Sequence, residues 1–426
     1  MKASDQPAAA GTGKSVLVER CQACGQTDLQ PVFFAGYLPP VNEMPTIGER
    51  PREQPAYPAQ VLRCSRCELV QLGLIVDPAL LFPPSYPYTS GTTRILRENF
   101  KELYGEVSRL YSLGEEDLIV DVGSNDGTLL SNFVAGGHRV YGIEPTNAAN
   151  LAIKAGIPTL NSFFDRRAVT HVLRELGRAK VVTAANVFAH IENVSEVIRC
   201  VRGLLTEDGL FITESHYWLA LLESLQYDTI YHEHLRYYSL TSLKNLLEAN
   251  DLQVIRAKRI ATHGGSIRVY AARKGAFSVD GSVADILAKE REDLTEDRYI
   301  SFRGDVVASK LQLYALLREI NARGELIYGV GAPSRSTTLI NYVGLNEDIL
   351  SCVVEIKGSY KIGKYVPGTL IPVLDESKLF MDQPAYALLF SWHIADELIP
   401  KLSKAGYRGD FIVPLPTPHI VRGPDR

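Results

Sequence analysis

No stretch of the 426-residue chain approaches the roughly 18 consecutive apolar residues that would span a bilayer, so no membrane partner is expected. The opening residues, MKASDQPAAAGTGKS, lack the apolar core of a secretory signal. They read as a disordered lead-in over 1–15, and the chain as cytoplasmic. An excess of one charge is also missing. With 45 Lys+Arg against 49 Asp+Glu the net charge is −4, which gives no electrostatic reason to expect nucleic acid as a partner. Short-period repeats and long low-complexity tracts are absent, and so is an intact G-x-G-x-x-G dinucleotide fingerprint. What remains is 46% hydrophobic and 22% charged, a globular composition on a chain long enough for two to four domains.

Cysteine is scarce, yet four of the six residues form two knuckles, Cys21-x-x-Cys24 and Cys64-x-x-Cys67. Four thiolates in that arrangement can surround one Zn²⁺ tetrahedrally, the closed geometry of a structural site. Zinc catalysis is disfavoured because no coordination position stays open. A disulfide framework does not suit a cytoplasmic protein, and a redox role would need only one pair. The 39 residues between the knuckles must form a small subdomain, so 16–80 reads as a metal-stapled module. Cys200 and Cys352 stand alone in apolar surroundings and read as buried core thiols.

From Leu118 the pattern changes. LIVDVGSNDGTLL is an apolar strand running into a tight turn with Gly123 and Gly127, and RVYGIEP is a second strand ending at Glu144 and Pro145. An acid 21 positions after Gly123 has the spacing that sets a carboxylate against ribose hydroxyls. The position a dinucleotide turn reserves for its second glycine holds Asn125, and Asp121 closes the first strand. This Asp-x-Gly-x-x-x-Gly pattern resembles the S-adenosylmethionine (SAM) site of class I methyltransferases. Strands and helical runs alternate across 81–277, which argues for a doubly wound, mostly parallel sheet. Two linking helices or one are expected over 278–324. A second α/β unit follows over 325–426, opening on the degenerate turn Gly329-x-Gly331-x-x-Ser334 with Glu355 ending its next strand.

Chemistry concentrates at two places. YDTIYHEHLRYYSL sets Tyr231, His232, Glu233 and His234 in succession, too many polar groups for a core strand. A histidine is the natural general base near neutral pH, and a carboxylate such as Glu233 could orient it. ANVFAHIEN follows a strand, placing Asn186 and His190 at the carboxyl edge of the sheet, where open α/β sheets bind ligands. THGGSIRVY adds His263, Gly264 and Arg268, with glycines suited to a close backbone approach.

These motifs together resemble the sugar C-methyltransferases that act on nucleotide-linked 4-keto-deoxysugars. The carriers are CQAC, CSRC, YPYTSGTT, DVGSNDGTLL, GIEPT, ANVFAHI, DTIYHEH, HGGSIRVY, GAP, GKYVPGTLIPV and SWHIADE, in order from Cys21 to Pro416. The resemblance implies structural zinc on the four knuckle cysteines. It implies SAM at Asp121, Gly123, Asn125, Asp126, Gly127, Glu144 and Pro145. Catalysis and sugar binding would fall to His234, Glu233, Tyr231, His190, Asn186 and Tyr88. Further substrate contacts would come from His263, Gly264, Arg268, Arg335, Lys364 and Tyr365. His234 best matches the family's base, with His190 as the competing assignment. The implied fold is α/β: a class I SAM-methyltransferase doubly wound sheet, a small N-terminal zinc module, and a second, Rossmann-like C-terminal α/β domain that grips the nucleotide.

The chain departs from the family pattern where GAPAKGNTLLNY reads GAPSRSTTLINY, with Arg335, Ser336 and Thr337 replacing lysine, glycine and asparagine. His393 replaces an asparagine in the late motif. Arg335 could still hold a phosphate, more geometrically than lysine would. The expected reaction is removal of the C3 proton, stabilisation of an enolate at O4, and methyl transfer from SAM to carbon. An O- or N-methyltransferase on the same scaffold, a nicotinamide-dependent oxidoreductase using the Gly329 turn, and a non-catalytic zinc-ribbon interaction protein are the alternatives. The sequence leaves open the nucleotide base, the sugar and the oligomeric state, with a monomer compatible.

Overall fold

A computed structural model describes residues 14–82, 91 and 93–423. The lead-in up to residue 13 and Tyr88 lie outside the described residues. Both seven-stranded sheets arise where apolar β-branched runs alternate with amphipathic helices. In the first sheet the order across is Leu252–Ile260, Ser266–Arg273, Leu205–His216, Ala179–Ala185, Leu118–Val122, Arg139–Ile143 and Thr159–Leu160. The last five are mutually parallel, whereas Ser266–Arg273 runs antiparallel between Leu205–His216 and Leu252–Ile260. This is the doubly wound class I methyltransferase sheet. Strand Leu118–Val122 is buried throughout, as expected where helices cover both faces. The chain leaves it toward Arg139–Ile143 on one side and returns at Ala179–Ala185 on the other, which makes a topological switch point.

Two strands of this sheet were not expected. Leu252–Ile260 carries Arg256, Lys258 and Arg259 and so reads as a charged segment, but it is the sheet's edge, where charge on the open side blunts association. Thr159–Leu160 is two residues long and leaves no periodic signal.

The second sheet orders Lys364–Tyr365, Pro372–Asp375, Cys352–Glu355, Ile327–Val330, Tyr386–Leu389, Asp410–Val413 and His419–Val421. Its five central strands are parallel and its two edges antiparallel. The switch point falls at Ile327–Val330, so this sheet also opens a crevice at its carboxyl edge. The Gly329 turn is shaped by packing: a Cβ at Gly329 would lie 2.5 Å from the Phe390 ring.

The metal module contributes strands Leu29–Leu38, Tyr57–Cys64 and Val70–Leu72, and a fourth strand, Arg236–Tyr237, joins them from the methyltransferase segment. Helices Gly281–Asp293 and Glu296–Ala322 link the two large sheets. The longer one buries Tyr299, Phe302, Val306, Leu313, Leu317 and Ile320 in a core shared with Phe33 and Val61 of the metal module, Trp218, and Val353 and Leu388 of the second sheet. One apolar core therefore ties the module, the Trp218 segment and the second sheet together, while the first sheet packs in separate cores, one of which takes in Cys21, Cys64, Cys67 and Leu69 of the module.

Candidate active site

The Gly123 turn lies at the first switch point. Gly123 has φ +68°, and a Cβ there would sit 2.6 Å from Cγ2 of Val187, so both backbone and packing require glycine. The buried carboxylate of Glu144 accepts from the backbone N–H of Asn125 at 3.0 Å and of Thr146 at 2.9 Å, bracing the turn against the next strand end. Asp121 is buried beneath the turn and accepts from the Thr183 hydroxyl at 2.6 Å. Burial first, then the Glu144 and Glu214 charges, push its carboxyl up to about 7. Asp126 turns to the helix start, accepting from Thr128 Oγ1 at 2.6 Å and Gly91 N at 2.8 Å. Gly127 caps that helix with φ +80°, and Pro145 is exposed.

Across the switch point Asn186 adopts φ +60°, rare for a side-chain-bearing residue, and its buried Oδ1 has no partner among the described residues. The Ser124 hydroxyl is likewise buried without one. Orphaned acceptors beside a glycine turn and a buried carboxylate fit a ligand that carries an ammonium group and ribose hydroxyls, as SAM does.

A row of histidines is contributed by four separate segments. His234 is 6% exposed, and its Nδ1 lies 2.9 Å from the Thr229 carbonyl. A carbonyl only accepts, so Nδ1 carries the proton and Nε2 is left as the acceptor. Tyr231 Oη donates to that Nε2 at 3.1 Å. His190 is set the same way, with Nδ1 2.7 Å from the Glu233 carbonyl. Ring centroids separate His190 from His234 by 5.1 Å, His234 from His216 by 4.8 Å and His216 from His263 by 5.3 Å. Burial dominates in holding His234 and His216 well below the ordinary imidazole range, and it lowers His190 and brings His263 to about 4. These rings are therefore neutral near pH 7. Burial likewise raises the Tyr231 phenol well above its usual value, so it remains a donor.

The metal module and the second sheet complete the walls. Strand Arg236–Tyr237 pairs with Val70–Leu72, and the Arg236 guanidinium donates to the carbonyls of Phe188, Ile191 and Glu192. The loop carrying His190 is thus clamped to the segment carrying His234. Asn42 of the module donates to Glu233 Oε1 at 2.7 Å and accepts from Tyr360 Oη at 3.0 Å. His232 points the other way, onto the Pro58 carbonyl at 3.4 Å.

Several expected residues sit differently from the sequence reading. Arg268 is fully buried, with Nε on Glu214 at 2.6 Å, Nη1 on Glu106 at 2.9 Å and Nη2 on Asn99 at 2.8 Å, so its donors are spent inside the protein. Arg335 reaches the cleft but gives Nη1 to His393 Nδ1 at 2.7 Å and Nη2 to Gln226 Oε1 at 3.1 Å, with Nε 3.5 Å from Asp228. Gly264 packs on Gln226, whose Nε2 donates to its carbonyl at 2.7 Å. Lys364 lies over the Tyr360 ring at 4.9 Å, and Tyr365 Oη accepts from Gly48 N at 3.3 Å. The sequence reading missed His216, Gln226, Asp228, Arg236 and Asn42. His216 alone carried a local signal, since it ends a strand at the sheet's carboxyl edge.

The metal centre closes as expected. The four sulfurs of Cys21, Cys24, Cys64 and Cys67 all lie within 4.8 Å of one another, with Cys21–Cys67 and Cys24–Cys64 at 3.5 Å. Tetrahedral zinc with bonds near 2.3 Å needs sulfurs about 3.8 Å apart, so the set fits. Among the described residues no other group of this kind occurs.

Comparison with known proteins matches residues 21–82 to the family described as "Putative zinc binding domain", 95–257 to "Methyltransferase domain" and 261–416 to "C-methyltransferase C-terminal domain". The C-methyltransferase NovU of Streptomyces niveus is 32% identical over 410 residues, covering 95% of this chain and 97% of that protein. Among solved structures, magnesium protoporphyrin IX methyltransferase from Synechocystis PCC 6803 with bound SAM covers 42% of this chain and 79% of its own, at 16% identity and TM-score 0.32. A SAM-dependent methyltransferase from Clostridium acetobutylicum ATCC 824 covers 42% and 92%, at 12% identity and TM-score 0.33.

Proposed function

The chain belongs to the sugar C-methyltransferase family and is a SAM-dependent C-methyltransferase with a four-cysteine zinc module; from that premise we propose that it methylates C3 of a nucleotide-linked 4-keto-deoxysugar. The observation that carries this reading is the pair formed by His234 Nε2 and Tyr231 Oη, 3.1 Å apart. Carbon becomes a nucleophile only after losing a proton, and that requires a base and an oxyanion donor side by side. The two atoms match the two neighbouring points of a ketone that need them, the α C–H and the carbonyl oxygen.

In this scheme His234 Nε2 takes the C3 proton while Nδ1–H stays on the Thr229 carbonyl, and the C4 oxygen becomes the enolate oxygen. Tyr231 swings its hydroxyl from Nε2 to that oxygen, which uncovers the base and supplies the donor in one movement. The imidazolium formed in a dry site gains the counter-charge it lacks at rest, because the enolate forms beside it. His190, with its Nε2 unbound by any described residue, and the Asn186 side-chain NH₂ hold the sugar's other oxygens, while the Asn186 Oδ1 is left for the cofactor. Bound SAM supplies the electrophilic methyl group that the enolate carbon accepts. Zinc holds the module together and takes no part in the chemistry, because four cysteines close its coordination.

The test is deuterium exchange from D₂O into C3 of a 4-keto nucleotide sugar. His234→Asn should abolish both exchange and methyl transfer while SAM still binds. Exchange at a near wild-type rate in that variant would move the base to another residue, with His190 next in line. Absence of exchange in the wild-type protein together with methylation of a hydroxyl would favour an O-methyltransferase.

A further inference from the structure

Of the cations named from sequence, Arg268 spends its donors inside the protein, Arg335 gives one N–H to His393 and one to Gln226, and Lys364 lies over the Tyr360 ring. Lys361 is placed otherwise. It stands in the loop beyond the carboxyl end of strand Cys352–Glu355, beside the switch point of the second sheet. Its Nζ donates to the carbonyl of Ala332 at 2.5 Å, the residue that follows Gly331 at the mouth of the glycine turn. An ammonium has three N–H donors, and among the described residues this is the one hydrogen bond it makes.

No carboxylate of the described residues comes within ion-pair range of Nζ. The two acids whose charge reaches it have hydrogen-bond partners of their own: Glu355 accepts from Ala332 N at 2.6 Å and Ile356 N at 2.8 Å, and Glu233 from Asn42. Burial outweighs the pull of both and lowers the Lys361 pKa below that of an ordinary lysine. A desolvated cation with spare donors is costly unless an anion meets it.

The loop is also tied to the reaction site. Tyr360, next in chain, donates to Asn42 at 3.0 Å, and Asn42 donates to Glu233, the residue before His234. The residues beside Lys361 and His234 are thus joined through Asn42.

We propose that Lys361 is the substrate-binding cation that receives a diphosphate, held across the mouth of the Gly329–Ala332 turn with the attached sugar directed toward Glu233 and His234. This rests on the reading of the substrate as nucleotide-linked. The spare N–H donors point to a ligand offering several acceptor oxygens, and the carboxyl edge of a doubly wound sheet is where such ligands lie.

The test is calorimetric titration of the full-length, zinc-loaded protein, with SAM present, using inorganic pyrophosphate and uridine, thymidine and guanosine diphosphates as probes. The wild-type protein should bind at least one nucleoside diphosphate. Lys361→Met should weaken that binding roughly 10- to 100-fold, the range for a hydrogen bond to a charged group, and leave SAM affinity unchanged. Lys361→Arg should keep most of it. Lys361→Gln serves as the second neutral variant should methionine fail to fold. Equal diphosphate affinity in the wild-type and neutral variants, with only a lowered Tm, would make Lys361 a loop fastener and overturn the proposal. A wild-type protein that binds SAM but none of the diphosphates would instead overturn the nucleotide-linked reading, and this proposal with it.

Discussion

Removing a single oxygen, by Tyr231→Phe, separates the two tasks assigned to the His234–Tyr231 pair. In the resting site the phenol donates to Nε2 at 3.1 Å, and Tyr231 is 9% exposed. Its loss leaves the imidazole nitrogen without that donor, a ground-state cost of about 1–3 kcal/mol if no water replaces it. In the transition state the loss falls on the enolate oxygen. Deleting one such donor typically costs 10²–10³ in kcat, or about 2.7–4 kcal/mol. The two effects oppose each other, because a base that starts uncovered and destabilised has less far to climb. The net fall in kcat should therefore lie toward the lower end, near 10²-fold, with KM for the sugar substrate changed only a few-fold.

The assay compares single-turnover methyl transfer with C3 deuterium exchange in the absence of SAM. Both should slow by the same factor, since the hydroxyl serves enolate formation and not the methyl step. A kcat within about threefold of wild type would remove Tyr231 from the mechanism. Unimpaired exchange with slowed methyl transfer would place its role after proton removal.

Protein purified without chelator should hold one zinc per chain by elemental analysis, and Cys64→Ser should lose both the metal and stability before any defect in the chemistry is measurable, because structural zinc contributes folding free energy. Glu144→Ala should weaken SAM binding by about 1.5–3 kcal/mol in calorimetry, through lost ligand contacts and a loosened Asn125 turn; unchanged affinity would put the cofactor elsewhere. Stability to urea should fall as pH drops from 6.5 toward about 4, because His190, His216, His232, His234, His263 and His393 are all held neutral by burial and the unfolded chain binds the protons they refuse. Glu68, Asp121, Glu214 and Asp228, whose carboxyls burial pushes up, act with opposite sign but are outnumbered by the six histidines; a stability curve that rises on acidification through this range would refute the assignment.

What could be read from the chain follows from how local each feature is. The Gly123 turn and the knuckle cysteines are short patterns whose chemistry demands particular residues at particular spacings, and the structure places them as expected. The histidine row resisted such reading because His190, His216, His234 and His263 come from four segments, brought together only by the sheet. Arg268 shows the reverse failure. It sits on Ser266–Arg273 between buried Ile267 and Val269, and both faces of that strand are covered. Period-two alternation turns it toward helix Arg94–Tyr111, where Glu106 and Asn99 meet it, and away from the cleft. The nearby glycines suggested a ligand, yet Gly265 owes its place to a Cβ position 2.5 Å from the Ala220 side chain. Arg335 was read as a phosphate receptor, and its protein partners Gln226, Asp228 and His393 left no local signal because they lie up to 109 residues away in sequence.

The metal module takes on a second meaning once its sheet is traced. Cys64 ends one of its strands and Val70–Leu72 is the next, and it is this strand that pairs with Arg236–Tyr237. Leu72 N donates to the Leu235 carbonyl at 2.9 Å, and Leu235 N donates to the Ala189 carbonyl at 2.8 Å. The backbone on both sides of His190 and His234 is thus pinned to a strand that the knuckles staple in place. Strand register leaves no half-measures, because a slip of one residue reverses every side chain. Such a slip would carry Arg236 off the carbonyls of Phe188, Ile191 and Glu192 and release the loop that carries His190. The four knuckle cysteines are thus joined to the segments that carry His190 and His234 through one strand pairing, so loss of the metal acts on the site only through the stability of that module.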